Sequence, residues 1–184
     1  MRTFIAVELD EDIKRALQRL LGTLQKSGAD VRWVNSQGMH LTLKFLGEVD
    51  ADGITSVKEI LKTVSSRHSR FSLVIKGTGT FPGGKNPRVL WVGIEADPEL
   101  PALQEDLETE LQRAGFPRED RAFHAHLTLG RVRSSQRIRE AVAELEKRQE
   151  INFGAMTALK VTLFQSILKP QGAEYKVVEE FALP

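Results

Sequence analysis

Cysteine is absent from the 184-residue chain. That excludes disulfides, a thiol nucleophile, haem attachment and cysteine-ligated zinc or iron–sulfur sites. Histidine is scarce, with four residues, which is little material for a histidine-rich metal cage. Neither sign of charge prevails: 26 basic and 25 acidic residues leave a formal net charge of +1. Any affinity for nucleic acid must therefore come from local clustering rather than a global field. No apolar run approaches the roughly eighteen residues of a membrane span, and the opening MRTFIAVELD reads as a strand rather than a signal peptide. A cytoplasmic protein is expected. The remaining composition, 41% apolar and 28% charged, suits a globular chain long enough to bury a core without staples.

The chain repeats a short pattern. His40-Leu41-Thr42-Leu43 returns as His126-Leu127-Thr128-Leu129, 86 residues later. The same shift sets Arg2-Thr3-Phe4-Ile5-Ala6-Val7 on Arg88-Val89-Leu90-Trp91-Val92-Gly93, and Leu73-Val74-Ile75 on Leu159-Lys160-Val161. A period this long, present twice, indicates two copies of one supersecondary unit rather than a solenoid.

Each copy reads strand, helix, strand, helix, strand. In the first, Phe4 to Leu9 is a strand and Asp10 a candidate N-cap. Ile13, Ala16, Leu17, Leu20, Leu21 and Leu24 follow helical spacing. Val31 to Val34 is a short strand, Met39 to Leu46 the motif strand, and Ile54 to Val64 a second helix ending at a solvated His68. Phe71 to Thr80 is a further strand, followed by a breaker-rich loop. In the second copy, Val89 to Ile94 is a strand. Asp97-Pro98 looks like N-cap and first helical position, ahead of Leu100, Leu103, Leu107 and Leu111. Phe123 to Val132 carries the second motif, and Ser134 or Ser135 can cap a helix through Leu145. Ala158 to Leu168 and Tyr175 to Phe181 are strands. The pattern predicts an α+β fold with two lobes. With no Ser/Gly-rich linker between the halves, it predicts one domain over residues 1–184.

Side chains alternate across a strand, so His40 and Thr42 share one face and Leu41 and Leu43 the other, with the same division in the second motif. The leucines are the natural core face. If pseudo-symmetry brings the motif strands side by side, two imidazoles and two hydroxyls converge on one cleft. Imidazole titrates near about 6.5, so the pair can act as general acid and general base. The hydroxyls of Thr42 and Thr128 can donate to phosphate oxygens. This chemistry needs neither metal nor a covalent intermediate and suits a strained cyclic phosphodiester. Zinc is not expected, because no Asp or Glu lies within either motif. His124 also falls on the His126 face by period-two counting and reads as a structural histidine.

The duplicated His-x-Thr-x motif resembles the signature of the two-histidine (2H) phosphoesterase superfamily. MRTFIAVEL, MHLTLKFLGEV, FHAHLTLGRV and LFQSILKPQGAEYKVV together resemble its RNA 2′,3′-cyclic phosphodiesterase branch, formerly called 2′-5′ RNA ligase. The resemblance spans nearly the whole chain. It implies a bilobal duplicated α+β fold with two pseudo-symmetric antiparallel sheets, helices outside and an active-site cleft between lobes. It implies hydrolysis of RNA 2′,3′-cyclic phosphate ends to 2′-phosphates, and 2′-5′ joining of tRNA halves as the reverse type of reaction. It gives His40 the role of proton donor to the leaving 3′ oxygen, His126 that of proton acceptor from water, and Thr42 and Thr128 that of phosphate holders. No cofactor, metal or membrane is implied. His124 departs from the family picture, where an apolar residue is expected.

Phe45 and Arg131 each lie five residues after a motif histidine. In the family such positions resemble a base-stacking platform and a phosphate contact. An odd offset puts both on the wrong face of a regular strand, so a bulge or strand end must turn them into the cleft. Lys44 shares the His40 face by counting and can add positive charge. Arg131, Arg133, Arg137 and Arg139, with Arg118 and Arg121, form a local basic region able to meet an RNA backbone. Competing functions are a phosphodiesterase of small cyclic nucleotides, a 3′-end trimming exonuclease, and a non-enzymatic RNA-end binding module. A monomer is expected, because two motifs in one chain complete the site.

Overall fold

Ile13, Leu17, Leu20, Leu21 and Leu24 form the buried stripe of helix α1 (Glu11–Gln25), which follows strand β1 (Arg2–Glu8). The computed structural model describes residues 1–184. After the short strand β2 (Val31–Trp33), β3 (His40–Glu48) carries the first motif and leads into α2 (Ala51–Arg67). The Asp50 carboxylate caps α2 by accepting from the Gly53 amide. Strands β4 (Phe71–Phe81) and β5 (Val89–Ala96) precede α3 (Glu99–Arg113). The second motif opens β6 (His126–Val132), followed by α4 (Ile138–Glu146), β7 (Asn152–Ala158), β8 (Lys160–Lys169) and β9 (Gly172–Ala182).

The strands form two antiparallel sheets, ordered β3-β1-β8-β9 and β2-β6-β5-β4-β7. The repeat units exchange parts between them. β1 and β3 of the first copy are completed by β8 of the second, and β5 and β6 of the second by β4 of the first. The helices cross over as well: α1 packs on β7 and α4 in the five-stranded lobe, whereas α3 packs on β3 and α2 in the four-stranded lobe. Neither copy can close its sheet or cover it without the other. The fold is two-lobed and α+β, and one continuous core takes in Leu41 and Leu43 together with Leu127 and Leu129.

Several local expectations are corrected. The segment before residue 158 is an additional edge strand, β7, paired to β4. Its signal is weak because only Met156 and Ala158 are buried. The Asp97 carboxylate accepts from the Ser72 amide instead of capping α3. At the start of α4, Arg137 takes the N-cap place in a left-handed conformation (φ 53°). His68 is not solvated: Nδ1 lies 2.8 Å from Glu99 Oε1 and Nε2 3.0 Å from Asp106 Oδ2, so the ring ties α2 to α3.

Candidate active site

The motif leucines enter the core, with exposures of 1% and 3% for Leu41 and Leu43 and of 2% and 0% for Leu127 and Leu129. Alternation then turns His40, Thr42, His126 and Thr128 to the opposite faces, away from the helices. The two motif strands are not hydrogen-bonded neighbours, as a side-by-side arrangement would require. β3 is the edge strand beside β1, while β6 lies between β2 and β5. They come into contact where the two sheets meet.

Both motif strands bulge at the same place. Along β1, Ile5 faces Lys44 and Ala6 faces Thr42, which leaves Leu43 unpaired. Along β5, Leu90 faces Gly130 and Trp91 faces Thr128, which leaves Leu129 unpaired. The extra residue resets the alternation. Phe45, paired with Phe4, therefore turns onto the His40 face and is 63% exposed. Arg131, paired with Val89, turns onto the His126 face. The same bulge turns Lys44 the other way. It does not join the histidine face but enters the interior at 3% exposure and pairs with Glu108.

These registers also correct the repeat alignment in the first strand. The motif strands match at an offset of 86, but Phe4, opposite Phe45, corresponds to Val89, opposite Arg131. A shift of one residue exchanges the faces. Phe4 accordingly faces the site, whereas Leu90, with which the 86-residue shift aligned it, is in the core.

The two histidines sit in unlike surroundings. The His40 ring stacks on Phe4 at 4.6 Å between centroids, and Tyr175 meets it edge-on at 5.0 Å. Phe164 stacks behind Phe4 at 5.2 Å. With Ala6 these two phenylalanines form a small apolar cluster separate from the main core. Burial pushes the His40 imidazole down from its ordinary 6.5 to about 4, because an apolar surround disfavours the cation. A hydrogen bond to the Gly38 carbonyl opposes the fall, and the Lys14 ammonium adds to it. His126 is exposed. Its Nδ1 lies 2.7 Å from the His124 carbonyl. A carbonyl can only accept, so Nδ1 carries the proton and Nε2 holds the lone pair of the neutral ring. His124 contributes its backbone here, and its side chain is exposed.

Residues without a motif signal complete the two faces. The Trp91 indole, on the Thr128 face, covers Gly79, where an added Cβ would lie 2.3 Å from the ring. In the same sheet Phe81 pairs with Val89, Val89 with Arg131, and Arg131 with Arg32. Arg118 and Arg137 are engaged by Glu105 and Glu140, which removes them from the basic region read from the sequence. No group of three or more His, Asp or Glu side chains is placed to hold a metal ion. No helix is long and apolar enough to cross a membrane.

Residues 7–91 and 92–175 each match the profile of the LigT-like phosphoesterase family. A Methanothermobacter thermautotrophicus protein named RNA 2′,3′-cyclic phosphodiesterase is 33% identical, with 100% of this chain and 99% of that one covered. Proteins of the same name from Thermotoga maritima and Archaeoglobus fulgidus are 36% and 37% identical, each over 98% of this chain and over 94% and 99% of their own lengths. A crystal structure from Thermus thermophilus superposes with a TM-score of 0.83 at 27% identity, covering 100% of this chain and 98% of that one. The apo form of E. coli LigT shares the fold at a TM-score of 0.77 and 24% identity, covering 99% of this chain and 96% of that one. Both halves of the repeat carry the family profile, and the relatives align along nearly their whole lengths: the chain belongs to the LigT-like phosphoesterase family.

Proposed function

We propose that this protein hydrolyses RNA 2′,3′-cyclic phosphate ends to 2′-phosphomonoesters, without a metal, as one bilobal monomeric domain. The observation that carries the reading is the matched construction of β3 and β6. Each presents a histidine and a threonine on the face away from the core, and each bulges at the same residue so that Phe45 and Arg131 join them. The relatives' shared name supports the substrate class.

In this reading His126 Nε2 takes a proton from water, and the water oxygen attacks phosphorus. The P–O3′ bond breaks, and His40 gives its proton to the departing 3′ oxygen. Thr42 and Thr128 donate to the non-bridging oxygens, and Arg131 adds positive charge as the transition state forms. Phe45 offers its exposed ring to the terminal base. The low pKa of His40 leaves it neutral in the free protein near pH 7. A phosphodiester anion seated against the ring favours the imidazolium, so the donor's proton is taken up as substrate binds. A 5′-hydroxyl in place of water would give a 2′-5′ linkage by the same proton movements.

Product analysis tests the reading. An oligoribonucleotide ending in a 2′,3′-cyclic phosphate is expected to give a 2′-phosphate at unchanged length. A 3′-phosphate, a shortened chain or binding without turnover would overturn it.

A further inference from the structure

Across the five-stranded sheet, Phe81, Val89, Arg131 and Arg32 stand directly opposite one another on β4, β5, β6 and β2. All share the face that carries His126 and Thr128. Arg32 and Arg131 are exposed. Facing like charges on neighbouring strands are unfavourable. Arg137, in the segment whose Gln136 carbonyl accepts from the Asp30 amide beside this edge, is engaged by Glu140. No ion pair within the chain includes Arg32 or Arg131, so both exposed guanidinium groups are free to take an external anion. Phe81 is 60% exposed. Its counterpart by register in the other sheet is Phe164, which is covered by its stacking on Phe4. Val89 stands where Phe4 stands and offers no ring, so the face of Phe81 is open.

We propose that this row is a subsite for the nucleotide that precedes the cyclic end. Arg32 holds the phosphodiester on the 5′ side of the terminal nucleotide, and Phe81 stacks the penultimate base. The inference rests on the proposed reaction and extends the recognised RNA by one nucleotide upstream of the reacting end. Spacing supports it. Arg32, in register with Arg131 on the neighbouring strand, lies two positions beyond Thr128, about 7 Å along the strand direction, comparable to the step between consecutive backbone phosphates. An aromatic face beside arginines is the usual equipment for an unpaired strand.

The test compares a 2′,3′-cyclic mononucleotide with a dinucleotide and a trinucleotide bearing the same end. The wild type is expected to favour the dinucleotide. Arg32→Ala is expected to lower kcat/KM on the dinucleotide about tenfold, through KM, and Phe81→Ala by about five- to tenfold. Both variants should turn over the mononucleotide within about twofold of wild type, and Arg32→Lys should recover part of the loss. Equal losses on mononucleotide and dinucleotide, or no loss on either, would overturn the subsite. If the wild type turns over none of these substrates, the proposed reaction fails instead. The subsite is then decided by the anisotropy of a fluorescent trinucleotide ending in a 2′-phosphate: weaker binding by Arg32→Ala supports it, and unchanged binding overturns it.

Discussion

Lys44 Nζ lies 2.9 Å from Glu108 Oε2, and the two side chains are 2% and 3% exposed. Their neighbours complete the arrangement. Lys44 also donates to the Pro117 carbonyl at 2.6 Å, while Glu108 accepts from Gln104 Nε2 and from the Glu119 amide. The pair joins the bulge of the first motif strand to α3 and to the loop that leads into the second motif. A buried pair with further hydrogen bonds is costly to break from one side, because the surviving charge is left in the interior. Lys44→Met or Glu108→Leu alone is expected to lower unfolding free energy by about 3–5 kcal/mol. The double substitution should recover much of that loss. Denaturant unfolding of the three variants checks this, and additive losses would contradict it.

The low pKa of His40 has a consequence for stability. The unfolded chain titrates this ring near about 6.5 and the folded chain at about 4. Between those values the unfolded state binds more protons. Stability from this group is therefore full above pH about 6.5 and is lost as pH falls toward 4, by roughly 3 kcal/mol in all. His40→Phe keeps an aromatic ring beside Phe4 and cannot titrate. Urea unfolding from pH 7 to pH 4 should show a smaller acid loss in this variant than in wild type. Parallel curves would contradict the burial of a neutral imidazole.

Much of this was legible from local patterns, and the exceptions have long-range causes. The leucine stripe of α1 and the facing of His40 and Thr42 against Leu41 and Leu43 depend on side-chain periodicity alone. The exchange of β4 and β8 between sheets does not, because partners far apart in sequence decide it. The bulges at Leu43 and Leu129 leave no composition signal, and only the odd offsets of Phe45 and Arg131 hinted at them. Lys44 counted onto the His40 face because neither the bulge at Leu43 nor its partner Glu108, 64 residues away, shows in the local pattern. Phe4 and Trp91 escaped notice because their place in the site comes from strand register.

Gly79 is a test of the five-stranded half of the site. An added Cβ would meet the Trp91 indole at 2.3–2.8 Å, so the ring has to move. Gly79→Ala is expected to destabilise the fold by about 1–3 kcal/mol, and to raise KM because Trp91 lies beside Thr128. An unchanged melting temperature together with an unchanged KM would show that the indole is not fixed there.

Chelation separates acid–base catalysis from metal chemistry. Cyclic phosphodiesterase activity is expected to survive extended treatment with excess EDTA. Activity lost on chelation and restored by one defined divalent ion would place a metal in the reaction.

The most direct measurement is turnover of a 2′,3′-cyclic RNA end by His40→Ala, His126→Ala and the double variant, with circular dichroism verifying that each is folded. Each single substitution is expected to reduce kcat by about 10²–10⁴-fold. The double variant should lose less than the product of the two, since an acid and a base working in one step are not independent. Near-full activity in both folded single variants would contradict the account, leaving the two-lobed fold without the chemistry assigned to its histidines.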